Sequence, residues 1–403
     1  MTFDINAVVS GAIARGLNHY KDQLLTNPEQ ADALKSNHAS ILRTISEGFI
    51  HTHLQGEATQ MLIDLFPTFE RWGYWTECID IYQAALSLDL PAEQQVHLHA
   101  NLARTYFLYR NFDDSLNQLK KGLAIAEEHQ IDHLLGLLHH RLMNTYIGRL
   151  EEKTAKEHGL RALAYLSGTG SNTLAAAYDG LGRISLNLEN FAMAEDYFWE
   201  ALSLWDNLKD YTHMARSYTN LGYVFLRQNN LIYAKKCFES SLNALKNSQS
   251  VYDEVNAKNG LGIVNYSSGN YNEAASFFLM AANQLEKEFK NAGWYDMLGS
   301  LLHNIGNSHL ALEDPQQALI YLDRAKTVWL QANNKLEMGN TVGTIAEAYQ
   351  KEEDWETAVA TYDEALSLLA QFPGHAFAER LTKNFTQEKN KCAEHLNNPP
   401  TSR

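Results

Sequence analysis

The chain has 403 residues, of which 45% are hydrophobic, and its 33 Lys and Arg against 48 Asp and Glu give a net charge of −15. A field of this sign repels phosphate backbones and anionic lipid heads, so we expect neither nucleic acid nor a membrane as a partner. No apolar run reaches membrane-spanning length, and the first residues, MTFDINAVVSGAIARG, lack the basic start and the cleavable core of a signal peptide, which predicts a cytoplasmic protein.

The first part of the chain is predicted to form a helical cap, over residues 1–55. Within it, Asn27–Glu29 is typical of a helix start, because the proline in its middle is favoured in the first turn of a helix. Pro67, in the segment that follows, is expected to start or kink its own helix, since proline cannot donate the backbone hydrogen bond of a helix interior.

A pattern of about forty residues then recurs from residue 56 to residue 370. Each copy has an apolar residue followed by Gly or Ala, an aromatic a few residues later, a polar turn, and then a small residue with a large apolar residue four positions on. Five copies from Tyr178 onward align without gaps, and three upstream copies are weaker. The small residues are spaced 37 to 44 positions apart, at Cys78, Ser115, Ala155, Ala194, Ala234, Ala274, Ala318 and Ala358.

Helical periodicity predicts that each copy is a pair of helices. In NLGYVFLRQNNLIYAKKCFESSL, Leu221, Gly222 and Phe225 share one helical face, and Ala234 and Phe238 share another after the QNN break. A glycine inside a helix costs roughly 0.5–1 kcal/mol relative to alanine, so close packing of the second helix must offset that loss. We therefore predict a helical hairpin per copy, with the glycine and the alanines as contact points.

The end of the chain is predicted to close this array. AFAERLTKNFTQEKNKCAEHL reads as a capping helix within residues 371–396, and residues 397–403 read as a disordered tail.

The sequence offers little that points to catalysis, a cofactor or a metal. GLG at 180–182 and at 260–262 neither completes GxGxxG nor follows a strand, so close helix packing explains it better. The histidine groups, such as HTH and HLH, diverge around a helix and cannot chelate one metal well. The three cysteines lack CxxC spacing, so we expect neither a disulfide framework nor a zinc site, and a reducing compartment fits. Cys78 and Cys237 lie on apolar faces of second helices, which predicts buried, inert thiols. We expect no enzyme activity and no cofactor.

The repeated residues resemble the tetratricopeptide repeat. The resemblance rests on LG or IG at 181–182, 221–222, 261–262 and 305–306, on tyrosine at 106, 146 and 349, on the alanine of each second helix and on AL closures such as 201–202. The departures are a period near forty, the missing proline at the end of each unit, and Cys78, Ser115 and Asn265 in family positions. The resemblance implies an all-α, right-handed α-solenoid of about eight hairpins with helical caps at both ends.

The long period is similar to the forty-residue variety found in tetratricopeptide peptide receptors and in the sensor arms of bacterial STAND-type signalling ATPases. Residues 37–77 look like the segment that joins such an arm to its ATPase. No GxxxxGK[ST] phosphate loop occurs in the chain, so the resemblance implies a free-standing arm.

In tetratricopeptide arrays the first helix of each hairpin lines the concave face, so the resemblance implies a partner-binding groove. Six of its positions are Arg or Lys, which suits an acidic or carboxylate-ended segment, and asparagine amides suit an extended backbone. The predicted groove residues are Arg104, His140, Asn144, Arg183, Arg216, Asn220, Tyr223, Arg227, Asn259, Tyr266, His303, Asn304 and Asn307, with Asn101, Arg141, Asp179 and Lys351 at matching positions.

Alternatives to this groove stay open. Asn101, Asn220 and Asn304 share one repeat position, where asparagine can simply bond to the neighbouring helix. The arginines can equally be solvated surface residues. The family's carboxylate clamp for chaperone tails is not reproduced, since Asp179 and Gly180 stand where a base and an asparagine are needed.

The expected function is protein or peptide binding by a non-enzymatic adaptor or sensor in a bacterial signalling or defence assembly. One alternative is a small-molecule sensor that uses Tyr223, Asn259, Tyr266 and His303. Another is a purely structural subunit that binds through its convex face, for which Trp205 and Trp329 are the candidate contacts.

Overall fold

The computed structural model describes residues 5–25, 32–246, 250–288 and 294–397, and every regular element in these ranges is a helix. The predicted helix start at Asn27–Glu29 and the tail after residue 397 lie outside the described residues. The chain divides into two compact units, Met1–Leu204 and Trp205–Arg403, which we call the N-terminal unit and the C-terminal unit. The predicted boundaries at residues 55 and 370 separate the repeats from the terminal caps, and they stay a prediction.

The N-terminal unit is built from helices that pack in chain order. Pro67 lies in the first turn of α4, so it starts a helix. Short 3₁₀ turns at Asp32–Asn37 and Thr52–Leu54 flank α2. The α-helices are α1 (Ile5–Leu25), α2 (His38–Ile50), α3 (Gln55–Asp64), α4 (Phe66–Trp72), α5 (Trp75–Leu86), α6 (Ala92–Leu108), α7 (Phe112–Glu128), α8 (Asp132–Gly148), α9 (Glu152–Leu166), α10 (Asn172–Asn187) and α11 (Phe191–Leu208), the last of which ends in the C-terminal unit.

The C-terminal unit continues the pattern with four hairpins and a final helix. In each hairpin two consecutive helices pack against each other, and the second also packs against the first helix of the next hairpin. The first helices of the first and second hairpins also contact each other, and so do those of the third and fourth. The helices are α12 (Tyr211–Arg227), α13 (Leu231–Leu245), α14 (Val251–Ser267), α15 (Tyr271–Glu288), α16 (Tyr295–Ala311), α17 (Pro315–Gln331), α18 (Lys335–Lys351), α19 (Trp355–Leu369) and α20 (Ala376–Asn397).

The predicted contact points are buried. The alanines at 194, 234, 274, 318 and 358 all have 0% exposure, and so do Leu221 and Phe238. A Cβ atom on Gly222 would lie 2.7 Å from the Phe238 ring, and one on Gly260 would lie 2.2 Å from the same ring. Phe238 therefore fills a space that exists only because its own hairpin and the next one both present a glycine.

The turns inside the hairpins use a left-handed residue that is usually not glycine. Leu150 has φ 62° and Asn229 has φ 57°, while Gly269 has φ 78° at the matching position. The next residue closes the turn through a backbone bond to the preceding helix, as when Asn230 N donates to Phe225 O at 2.8 Å. Asn230 then caps α13, because its side chain accepts from the N–H of Tyr233.

A stack of four rings joins α8 and α9. Tyr165, His139, His158 and Tyr146 follow one another with centroids 5.7, 5.2 and 5.4 Å apart. The two histidine Nδ1 atoms are 3.0 Å apart, so one Nδ1 carries a proton and donates it in a hydrogen bond, and the other Nδ1 is unprotonated and accepts. Burial, then the charges of His158 and Arg161, lower the pKa of His139 to about 4, and burial also lowers the pKa of His158.

Two tryptophans that were candidates for surface contacts are buried. Trp205 and Trp329 are 1% and 2% exposed, so they pack in the core and offer no surface contact.

Within the described ranges no helix is both long and apolar enough to cross a membrane.

Gly222→Ala is expected to destabilise the protein, although alanine favours a helix by about 1 kcal/mol over glycine. The new Cβ atom would lie 2.7 Å from the rigid Phe238 ring, and overpacking of this kind costs roughly 1–3 kcal/mol. The matched control is Gly11→Ala on α1, where the nearest atom is the mobile end of Arg15 at 3.6 Å. That change is expected to stabilise by up to about 1 kcal/mol. Urea unfolding measures the change in the free energy of unfolding for each variant. A change of the same sign in both variants would contradict the packing argument.

Acid is expected to destabilise the joint between α8 and α9. Because the folded-state pKa values of His139 and His158 are lowered, the unfolded chain binds more protons than the folded one as the pH falls from 6.5 towards about 4, so stability is lost over that range. His158→Gln would copy the neighbouring hairpin, in which His99 Nδ1 lies 2.8 Å from Gln118 Oε1. The variant should lose less stability.

Thermal unfolding at about pH 7 and about pH 5 measures this difference. Arg161 lowers both histidine pKa values and Glu157 opposes the shift at His158, and both residues remain in the variant. Equal acid sensitivity in wild type and His158→Gln would rule the histidine pair out as the cause.

Candidate functional site

The structure gives no metal or thiol chemistry to the candidate site. Among the described residues no group of three or more His, Cys, Asp or Glu side chains is placed to hold a metal ion. Within the described part of the chain Cys78, Cys237 and Cys392 are buried and none of them forms a disulfide. Burial, then the nearby Glu77, raises the pKa of the Cys78 thiol to about 12, so this sulfur stays protonated and unreactive.

Arg104, on α6 of the N-terminal unit, is held by an ion pair. Its Nε and Nη2 atoms donate to the same oxygen, Glu70 Oε1, at 2.9 and 2.6 Å. The guanidinium also lies over Phe107, 5.3 Å from the ring centroid. These two contacts fix the orientation of the Arg104 head, and Glu70 neutralises its charge.

Arg141, on α8, has an amide as its partner instead of a carboxylate. Its two Nη atoms donate to Asn101 Oδ1, each at 3.2 Å, and the guanidinium lies 5.4 Å from the centroid of Phe66. Burial, then the charge of Arg104, lowers the pKa of Arg141 to about 10, which still leaves it protonated at neutral pH. Asn101 therefore bonds to a neighbouring helix, which is the alternative to ligand binding that the sequence left open for this repeat position.

His140 and Asn144 lie one turn apart on the same helix. Asn144 Nδ2 donates to His140 Nε2 at 3.0 Å, so the proton of a neutral imidazole sits on Nδ1. That Nδ1 atom is buried and has no hydrogen-bond partner among the described residues. Burial, then the charges of Arg141 and Arg104, lowers the pKa of His140 to about 3, so the ring is neutral.

On α10 the two predicted groove residues differ. Arg183 is exposed and has no ion pair within the described part of the chain. Asp179, one turn earlier, is already engaged in another interaction. Arg183 is thus a solvated cation on a first helix of the N-terminal unit.

Arg216, on α12 of the C-terminal unit, is already paired with a carboxylate of the chain itself. Its Nε atom donates to both oxygens of Asp253, at 2.9 and 3.0 Å. The Asp253 side chain is only 3% exposed, whereas Arg216 is 47% exposed. Since the pair satisfies a buried carboxylate, Arg216 is a structural residue first, and a charge reversal there would set two carboxylates against each other.

The amides on the inner helices of the C-terminal unit are mostly unpaired. Asn259 Nδ2 donates to the Tyr223 hydroxyl at a long 3.4 Å, and Asn259 Oδ1 is buried without a partner in the described residues. The half-buried side chains of Asn220, Asn304 and Asn307 likewise have no hydrogen bond to any described residue. Unlike Asn101, these three do not bond to a neighbouring helix, so their donors and acceptors are available to a ligand.

The other predicted residues of this unit have defined surroundings. His303 Nδ1 lies 3.1 Å from Thr341 Oγ1, and burial lowers the pKa of His303 to about 4, so it is neutral. Tyr266 is 38% exposed and packs edge-on against Tyr271, with centroids 5.2 Å apart. Arg227 is exposed but takes part in an interaction of its own.

Glu347, on α18, belongs to the same face and is absent from the predicted set. It is half-buried and has no hydrogen bond or ion pair among the described residues. Burial, then the charge of Glu388, raises the pKa of Glu347 to about 7, although Lys351 opposes this shift. The sequence could have predicted this residue. Glu347 follows Ala346 in the last hairpin as Tyr223 follows Gly222, so the two side chains share one repeat position.

Comparisons with known proteins agree with this geometry. The family described as "Tetratricopeptide repeat" matches residues 173–247 and 297–375. No curated protein matches the chain in sequence.

Several solved structures share the fold. A STAND protein from Pyrococcus horikoshii with a tetratricopeptide repeat sensor aligns with TM-score 0.62 at 14% identity, over 85% of this chain and 52% of that one. The apo quorum sensor NprR from B. thuringiensis aligns with TM-score 0.61 at 13% identity, over 91% and 100%. A Rap protein complexed with Competence and Sporulation Factor aligns with TM-score 0.56 at 13% identity, over 84% and 99%.

The matched repeats fall in both units, and the buried alanines and glycine contacts are those that the repeat pattern requires. The structures that align with the chain show the same all-α repeat fold. Residues 173–247 and 297–375 therefore carry tetratricopeptide repeats, and the chain shares its all-α repeat fold with the structures that align with it.

Proposed function

We propose that this protein is a non-enzymatic adaptor or sensor that binds an extended segment of a partner protein along its first helices. The observation that carries the proposal is a set of side-chain amides in the C-terminal unit that lack partners within the described part of the chain. The side chains of Asn220, Asn304 and Asn307 make no hydrogen bond to any described residue, and Asn259 Oδ1 is buried without one.

Side-chain amides that lack a protein partner favour a peptide backbone as the ligand. Among these four amides the buried unpartnered atom is Asn259 Oδ1, and such an atom costs about 1–3 kcal/mol, so a ligand that donates a hydrogen bond to it would recover that cost. Each side-chain amide offers one acceptor and two donors, which match the C=O and N–H groups of an extended segment. Tyr223 and Tyr266 add aromatic surface beside these amides for the segment's side chains.

The partner segment is proposed to carry carboxylates. On the N-terminal unit Arg141 lacks a carboxylate partner and Arg183 is solvated, in a chain whose net charge is −15. An acidic segment would gain from these cations, whereas nucleic acid and anionic membranes would meet repulsion from the rest of the surface.

The biological setting is proposed by analogy with the solved structures that share this fold. NprR is described as a quorum sensor, a Rap protein is complexed with Competence and Sporulation Factor, and the STAND protein carries a tetratricopeptide repeat sensor. By analogy we place this chain in a bacterial signalling or defence assembly. The three buried cysteines, none of which forms a disulfide within the described residues, support a reducing cytoplasm as its location.

Replacing Asn304 and Asn307 by alanine is expected to weaken partner binding without unfolding the protein. Both side chains are half-buried and make no bond that holds the fold. Each lost hydrogen bond is worth about 0.5–1.5 kcal/mol, so the double variant should bind the partner roughly tenfold more weakly or worse. The measurement is affinity purification from the native host read by mass spectrometry, followed by titration with the purified partner.

The matched control changes two exposed side chains on second helices of the same unit. Ile232 and Leu330 are 71% and 69% exposed, and their double alanine variant should capture the partner as wild type does. If the asparagine variant recovers the partner unchanged, the amide face is not the binding surface. If the control fails instead, binding runs through the second helices.

A further inference from the structure

A cavity of about 550 Å³ opens in the C-terminal unit, between the first half of α12 and the second half of α13. Small-molecule sites in proteins have volumes of about 300–1,000 Å³, so this cavity is large enough for a ligand of the size of an amino acid. Its apolar wall is formed by Tyr211, Met214 and Tyr218 of α12 and by Ala244 of α13.

The cavity is separate from the side of α12 that is proposed to face the partner segment. Each residue turns an α-helix by about 100°, so Met214 and Tyr218 lie on one side of α12. The same rotation puts Asn220 and Tyr223 on the opposite side. A ligand in the cavity and the partner segment would therefore use different side chains.

The polar side chains of α13 that line the cavity have hydrogen-bonding groups to spare. Ser240 and Asn243 make no side-chain hydrogen bond to any described residue. Lys236 has no ion pair in the described ranges, and its ammonium lies 5.3 Å from the ring centroid of Tyr233. These donors and acceptors are available to a ligand.

The cavity carries one charge of each sign. Lys236 and Glu239 both line it, and they lie three positions apart on α13, which puts them on one side of the helix. Glu239 forms a 4.0 Å contact with Lys235, in which both side chains are 55% exposed, so the pairing is weak. A ligand with one ammonium and one carboxylate would pair with both charges, whereas an anion without an ammonium would be repelled by Glu239.

The apolar wall favours an aromatic ring on the ligand. Tyr211 is 38% exposed and Met214 is half-buried, so both present surface to the cavity. A tyrosine ring packs well against a second aromatic ring, and a thioether sulfur makes favourable contacts with the edge of such a ring. The ligand is thus expected to combine an aromatic body with a zwitterionic head.

We propose that this cavity binds a free aromatic amino acid. The ring packs on Tyr211 and Met214, the ammonium pairs with Glu239, and the carboxylate accepts hydrogen bonds from Lys236 and Asn243. The site goes beyond the proposed function, because it gives the protein a small ligand in addition to a partner segment.

The test is isothermal titration calorimetry of the full chain with L-phenylalanine, L-tyrosine and L-tryptophan. At least one of them should bind to wild type with a Kd of about 1 mM or below, as ligand efficiency predicts for a ligand of this size. For L-phenylalanine, two analogues isolate the charges, since 3-phenylpropionate lacks the ammonium and 2-phenylethylamine lacks the carboxylate. Each should bind roughly tenfold more weakly than L-phenylalanine, because a charge-assisted hydrogen bond is lost.

Three variants locate the binding. Lys236→Gln should weaken binding of the best amino acid by roughly tenfold. Ser240→Leu puts a larger side chain into the cavity and should abolish binding, while leucine suits the helix. The matched control is Lys287→Gln, which removes the same charge from an exposed residue of α15 outside the cavity and should bind as wild type does. Thermal unfolding of each variant checks that it folds.

Absence of binding by all three amino acids would overturn the proposal. Binding that Ser240→Leu leaves unchanged would overturn the location, and binding that Lys236→Gln leaves unchanged would overturn the carboxylate contact. None of these variants changes Asn304 or Asn307, so the proposed function is tested separately by partner capture.

Discussion

The close approach of helices at small residues is the contact on which the rest of this structure depends. Phe238 has no exposed surface, and glycines of two successive hairpins face its ring. Helix propensity is given up at Gly222 and Gly260, and dispersion and apolar burial around a large ring offset the loss. The same contact fixes how far apart successive first helices lie, and so it sets the spacing of the side chains that face a ligand.

The fold was predictable because the small residues that allow close helix packing recur at a regular spacing in the sequence. Small residues at a spacing of about forty define the hairpins, and the five alanines from Ala194 to Ala358 are fully buried as predicted. The turns were less predictable. Leu150 and Asn229 adopt positive φ without being glycine, because the backbone bonds that end the helix hold them there, and only Gly269 announces this geometry in the sequence. Nothing in the repeat pattern marks the boundary between the two units.

The candidate site was predictable in position but not in pairing. Repeat position tells which residues are on the ligand-facing side, and the repeat position of Tyr223 would have added Glu347 beside Lys351 in the last hairpin. Pairing depends on side-chain reach between helices that lie 34 to 40 residues apart in sequence, as in Arg104 with Glu70, Arg216 with Asp253 and Arg141 with Asn101. A count of arginines therefore overstates the positive charge that a ligand would meet, because two of these three already hold a carboxylate.

The phenylalanine shared between hairpins also bears on how such a chain changes length over evolution. Phe238 needs Gly222 from its own hairpin and Gly260 from the next one. A deletion or duplication of one entire period rejoins a large ring with a small residue on either side, whereas a shorter indel inside a helix separates them. Growth and shrinkage of this protein are thus expected in whole modules, with each added module extending the ligand-facing surface by one helix.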